Sequence, residues 1–339
     1  MNQQNHQPSQ LADFLRRNST YVILLAIVVG FAVLSDEFLT LNNLLTVALQ
    51  TTLIALAAIG MTLAIITGGI DLSVGSVAAL SGALAAGLAT RGGLGTYPGL
   101  FIGLLAGAGI GALNAAMIVW GRIPPFVATL ASMAIARGLT LVYTQGRPIA
   151  GLDPVFTFWG SESLLGIPVP VWVLLGVAVL VHLLLSQTAL GLHIYAVGGG
   201  EETTRLAGVS VGVVKFSVYV ISGATAALSG LILTARLWSA QPNIGVGLEL
   251  DAIAAAVLGG SSLAGGVGGI PGTLAGAFII GVLSNGLNLL EVPSYNQQVI
   301  KGLVFILAVM LDYFIKQQRS PRRQRVAPVA SQDKTSGGA

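Results

Sequence analysis

Glu249 and Asp251 stand two residues apart in Gly245-Val246-Gly247-Leu248-Glu249-Leu250-Asp251, close enough for two carboxylates to share acid–base work. No nucleophile, metal set or histidine accompanies them. The chain has 0 Cys and 3 His, and His6, His182 and His193 lack metal-ligand spacing, so no metal site, thiolate chemistry or cofactor is expected. What remains for the pair is a place at a helix start, favoured by the dipole, or beside the path of a polar solute.

Asp71 poses the same choice. Thr67-Gly68-Gly69-Ile70-Asp71-Leu72-Ser73-Val74-Gly75-Ser76 interrupts two apolar stretches. Irregular backbone at membrane depth is tolerated only when buried in protein or lining a wet cavity. The alternative is a turn at the membrane surface, with Asp71 capping the next helix. Arg137 and Lys301 fall inside apolar stretches, where an ionisable group is costly and normally faces the bundle interior or water; snorkelling to the interface is the alternative. Asn114, Asn285 and Asn288 can join helices or offer hydrogen bonds to a solute. With Ser73, these residues form the candidate lining of a translocation path.

The elements that must position them are set by composition. Asp251 and Glu291 bracket 39 residues without a charge, and Glu37–Asp71, Arg91–Arg122 and Glu162–Glu201 bracket gaps nearly as long. The chain is 54% hydrophobic and 9% charged, with mean hydropathy +0.84. A soluble domain has too little polar surface to cover so much apolar area, whereas a bilayer accepts it if each segment closes its own hydrogen bonds as a helix. The expected fold is all-α, a polytopic membrane bundle of about ten transmembrane helices: 19–35, 44–66, 72–89, 98–120, 125–143, 169–185, 213–235, 250–265, 272–290 and 295–313. The third and eighth are short and glycine-interrupted. No small-residue cleavage site follows the first, so it reads as an uncleaved span after a cytoplasmic segment 1–18.

With the N-terminus cytoplasmic, that side receives Arg16, Arg17, Arg122, Arg205, Lys215, Lys316, Arg319, Arg322, Arg323, Arg325 and Lys334, and the other only Arg91, Arg147 and Arg236. This is the expected bias for a multi-pass protein of the inner (plasma) membrane with both termini cytoplasmic. The basic tail 314–339 follows the last span of the permease region 19–313. It is expected to be disordered and to touch anionic lipid rather than nucleic acid.

Gly99, Gly103, Gly107 and Gly111 line one face of the fourth span and permit close helix approach, as Gly272 and Gly276 begin to do on the ninth. Ile110-Gly111-Ala112-Leu113-Asn114 has a counterpart in Ile280-Gly281-Val282-Leu283-Ser284, and Arg137-Gly138-Leu139 in Lys301-Gly302-Leu303. An offset of five spans inverts the second copy, so spans 2–5 and 7–10 are expected to form an inverted repeat, a recurring plan in transport proteins.

Residues 186–212 form the longest cytoplasmic loop. Within it Glu201-Glu202-Thr203-Thr204-Arg205-Leu206-Ala207-Gly208 reads as a brief helix, with acids at its start, Glu202 and Arg205 three apart and Gly208 at its exit. Leu206 and Val209 offer apolar anchors to a partner's groove; an ordinary membrane-surface helix is the other reading.

These segments together resemble the permease subunit of ATP-binding-cassette sugar importers, the ribose, xylose and galactose branch. The resemblance rests on Gly68–Ser76, Gly198–Val209, Ala235-Arg236-Leu237, Ser239-Ala240-Gln241-Pro242 and Glu249–Gly266, and covers most of 38–313. Asn285-Gly286-Leu287-Asn288-Leu289-Leu290 with its Val-Pro-Ser-Tyr continuation is most similar to ribose permeases. Gly200 departs from a common Asn, and Val267-Gly268-Gly269 lacks the basic residue often found there.

The resemblance implies a dimer of permeases, two ATPase domains beneath it and a periplasmic sugar-binding protein above. It makes residues 198–209 the coupling helix, with Gly199, Glu201, Glu202, Thr203, Arg205, Leu206, Ala207, Gly208 and Val209 meeting the ATPase. No Gly-x-x-x-x-Gly-Lys-Ser/Thr loop is present, so another chain must hydrolyse the ATP. Aromatic residues are only 6%, with no evident stacking pair for a sugar, which leaves substrate choice to the binding protein. The competing expectation is an ion-coupled secondary transporter using Asp71 or Lys301.

Overall fold

The computed structural model describes residues 18–319; apart from residue 18 and 314–319, the expected terminal segments 1–18 and 314–339 lie outside the described residues. The helices run in order α1 (Ser19–Leu34), α2 (Leu41–Ile66), α3 (Val74–Thr90), α4 (Thr96–Val119), α5 (Pro125–Thr144), α6 (Pro154–Ser161), α7 (Val169–Gln187), α8 (Ala189–Gly199), α9 (Glu201–Leu206), α10 (Val211–Arg236), α11 (Leu248–Leu258), α12 (Ile270–Leu289) and α13 (Ser294–Arg319). Two small antiparallel pairings decorate one end. Strand β1 (Ile149–Ala150) pairs with β4 (Ser239–Ala240), and β2 (Ser163–Leu164) with β3 (Ile167–Pro168).

Each of the ten expected stretches holds a helix. Six of them, α2, α4, α5, α7, α10 and α12, are long and apolar enough to cross a membrane. The protein is therefore an all-α, multi-pass membrane bundle. Helix α1 has 16 residues and α3 has 17.

The expectation of a span over 250–265 is corrected. Helix α11 stops at Leu258 after 11 residues, about half a bilayer core at the α-helical rise. Gly260, Gly265 and Gly266 at φ +90°, +85° and +73° then carry a non-helical loop to α12, in conformations that cost glycine least. The loop 186–212 is also more ordered than expected, because α8 precedes α9 with Ile194 and Val197 buried against the bundle.

Burial ranks the helices. The most apolar stretches of α2, α12 and α10 are 83%, 72% and 61% buried, against 33%, 28% and 33% for α4, α5 and α7. The first three are the bundle's core and the others present wide apolar faces outward.

The α4 glycine stripe lies against α3 and α10. A Cβ at Gly99 or Gly103 would stand 2.7 Å from the Ala85 or Ser81 carbonyl oxygen, and at Gly107 or Gly111 it would collide with α10. Gly272 and Gly276 press in the same way on Gly259 and Ala255, at the end of α11.

Packing repeats itself under the exchange of α2–α5 for α10–α13. Helix α4 packs on α10 as α12 packs on α2; α3 packs on α4 as α11 packs on α12; α3 touches α10 as α11 touches α2. Helix α5 lies on α3 as α13 lies on α11.

Candidate functional site

Helix α9 stands outside the bundle, between the end of α8 and the start of α10. Its charges pair among themselves and with α10: Arg205 Nη1 lies 2.7 Å from Glu202 Oε2, Arg205 Nη2 lies 3.2 Å from Glu201 Oε1, and Lys215 Nζ lies 2.6 Å from Glu201 Oε2. Leu206 is 81% exposed, an apolar side chain held out from a charged helix. Thr203, Ala207 and Gly208 are exposed beside it, and Val209 is half-buried.

Thr204 turns inward. Its hydroxyl donates to the Ala196 carbonyl at 2.8 Å and the Gly200 carbonyl at 2.7 Å, locking α9 onto the end of α8. The sequence reading passed over it, although on a short helix the residue three after Glu201 is the one that can face back to the preceding turn.

Helix α8 in turn is pressed on the core. A Cβ at Gly198 would collide with the Ile66 carbonyl and the Gly266 amide, so only glycine lets these backbones meet. The Gly266 N–H donates to the Ile66 carbonyl at 2.9 Å, and the Tyr195 phenol donates to the Gly268 carbonyl at 2.8 Å. Burial pushes the Tyr195 phenol above its ordinary value, which keeps it a donor. The end of α2, the end of α8 and the α11–α12 loop thus meet at one joint, with α9 attached.

From that joint the chain turns through Thr67–Ser73. Asp71 is fully buried and saturated: it accepts from the Ser73 amide at 3.0 Å, from the Ser73 hydroxyl, and from the Ser222 hydroxyl of α10 at 2.7 Å. Asn114 of α4 donates to the Ser73 Oγ at 2.9 Å. Thr129 of α5 accepts from the Leu72 amide and donates to the Ile70 carbonyl, each at 3.1 Å. Tyr219 covers Gly69, where a Cβ would strike its hydroxyl. Three helices, α4, α5 and α10, therefore grip the broken turn through polar groups, which water would otherwise have to satisfy. Asp71, Ser73 and Asn114 come together here, and the sequence reading missed Ser222 and Thr129 because their partners lie 151 and 57 residues away.

The remaining candidates sit elsewhere. Arg137 Nη1 donates to the carbonyls of Pro242 and Ile244 at 3.0 and 2.8 Å, pinning the loop before α11 to α5. Glu249 accepts from the Gly247 amide at 3.3 Å at the start of α11. Asp251 and Lys301 form an ion pair at 3.2 Å between α11 and α13. Asn285 exchanges two amide hydrogen bonds with Asn43, at 3.0 and 2.9 Å, and acts as helix glue. Asn288 accepts from Gln297 at 2.7 Å. The path candidates thus fall into separate clusters rather than one pocket, and among the described residues no metal-binding cluster occurs.

Helices long and apolar enough to cross a membrane, joined by buried glycine-rich turns and carrying a charged helix fastened outside them, mark a membrane transport protein. Residues 43–309 match the family described as branched-chain amino acid transport system / permease component, and the chain belongs to it. It is 46% identical to the ribose import permease protein RbsC of Escherichia coli K12 over 88% of this chain and 94% of that one. It is likewise 46% identical to RbsC of Bacillus subtilis, over 88% and 93%. It is 39% identical to the D-allose transport system permease protein AlsC of Escherichia coli K12, over 92% and 96%. No solved structure matches it significantly. Members of the family are transport permeases rather than enzymes.

Proposed function

We propose that the chain is the membrane-spanning permease subunit of an ATP-driven importer in the inner membrane, translocating ribose or a similar pentose or hexose. Similarity to permeases named for ribose and allose import supports this substrate class. Its companions are a separate ATPase, a periplasmic sugar-binding protein and a second permease copy or homologue.

The observation that carries the reading is the seating of α9. It offers Leu206 and the surrounding Gly199, Glu201, Glu202, Thr203, Arg205, Ala207, Gly208 and Val209 to a partner, while Thr204, Gly198 and Tyr195 fasten it to the core. A pull on α9 reaches the end of α2, and through it the Asp71 turn. The interfacial path between two permeases is flanked by the half-buried Arg137, Glu249, Asp251 and Lys301, with Asp71, Ser73 and Asn114 holding the broken turn behind it. Asn285 and Asn288 border the outer end.

The mirrored packing of α2–α5 and α10–α13 supports the inverted repeat. The Lys/Arg bias supports about ten passes with both termini in the cytoplasm, the half-length α11 and the glycine loop after it together making one crossing. Purification from native membranes tests the assembly: an ATPase and a secreted sugar-binding protein should co-elute. Collapsing the proton gradient while ATP is maintained should leave uptake intact; its arrest would favour an ion-coupled carrier instead.

A further inference from the structure

Three long spans, α4, α5 and α10, end at one place beside α9, and a cavity of about 1040 Å³ opens between them. Arg122, Arg205 and Lys215 line it, with Glu201 as the one carboxylate of the lining. Lys215 and Arg205 already share Glu201. Arg122 is exposed and has no carboxylate partner among the described residues. It is held at φ +53°, a left-handed conformation that a long side chain seldom adopts, in the turn between α4 and α5. Apolar side chains at the span ends, Val119, Ile123 and Val211, complete the lining.

The depth of this cavity is set by its neighbours. Trp120, 73% exposed, leans on Phe216 with ring centroids 5.9 Å apart, the kind of aromatic pair that settles at the membrane–water boundary. Cationic and apolar side chains lining one cavity at that boundary fit a phosphodiester headgroup and the start of its acyl chain.

We propose that the groove between the α4–α5 turn, α9 and the start of α10 binds the headgroup of an anionic glycerophospholipid, with Arg122 as its principal contact. Because Arg205 and Lys215 would turn from Glu201 toward the phosphate, the bound lipid competes for the ion pairs that brace α9. The proposal takes α9 as the coupling helix only for that last consequence; binding itself does not depend on it.

Native mass spectrometry of the full chain in detergent tests it, with phosphatidylglycerol and phosphatidylcholine as ligands. Wild type should retain one phosphatidylglycerol more tightly than any phosphatidylcholine. Arg122→Gln should weaken that retention about five-fold, the effect of losing one cation beside an anionic group. Arg122→Lys should largely restore it, which separates binding from misfolding. Millimolar inorganic phosphate should fail to displace the lipid, and a copy purified with its ATPase should still carry it. Equal retention of the two lipids, an unchanged Arg122→Gln chain, displacement by phosphate, or loss of the lipid when the ATPase is bound would each overturn the proposal.

Discussion

Tyr195 donates its phenol hydrogen to the Gly268 carbonyl at 2.8 Å, across 73 residues of sequence, and so ties the helix that carries α9 to the loop between α11 and α12. If α9 receives the stroke of an ATPase, this bond is one of the few through which the stroke passes. Tyr195→Phe should leave folding nearly intact, at a cost of about 1 kcal/mol for one hydrogen bond. Substrate moved per ATP hydrolysed in proteoliposomes should fall. An unchanged ratio would show that the joint transmits through backbone contact alone.

The α4 stripe gives a prediction with its own control. Gly111→Ala drives a methyl into the Tyr219 carbonyl and should destabilise the detergent-solubilised protein by about 1–3 kcal/mol through overpacking. Gly109, two residues before it, has open space around it, and Gly109→Ala should be neutral or gain up to about 1 kcal/mol of helix propensity. Thermal unfolding of the two variants would contradict the packing if their order were reversed.

Asp71 accepts hydrogen bonds from Ser73 and Ser222 in a site without exposure. Asp71→Ala strands those donors, each at about 1–3 kcal/mol, so folded yield should fall sharply. Asp71→Asn keeps an acceptor and should fold better than Asp71→Ala. If both fold as wild type, the turn is held by its glycines and not by this knot.

The Lys301–Asp251 pair is about a quarter exposed on both sides, so solvent screens it and its coupling should be on the order of 1 kcal/mol. Lys301→Met or Asp251→Asn alone leaves the other group half-buried and unpaired. The double variant should therefore be more stable than the sum of the single losses. Strict additivity in a double-mutant cycle would mean that the pair does not hold α13 to α11.

Helix placement was legible where apolar runs and glycines coincide. The four-residue glycine spacing of α4 identified a contact face, and the structure puts that face on α3 and α10. Charge-free length misled at 250–265: a run of Ala, Leu and Gly reads as one span, but three left-handed glycines end the helix at Leu258. Helix α8 was hidden for the opposite reason. At 11 residues it is too short to be stable without packing, and its buried contacts come from Ile66 and Gly266, far away in sequence. Polar residues were found by type, yet their partners were not. Nothing local tells Asn285 that it faces Asn43, or Asp71 that Ser222 closes its shell.

The central claim is that α9 delivers work done by another chain to a bundle that cannot do that work itself. The most direct measurement is uphill sugar accumulation in proteoliposomes holding the permease, its ATPase and the binding protein. Accumulation should require ATP, and reversing Glu202 and Arg205 to Arg and Glu, exposed residues whose swap barely touches stability, should cut it while ATP hydrolysis and sugar capture continue. Accumulation by the permease alone without nucleotide, or full coupling with those charges reversed, would contradict the account.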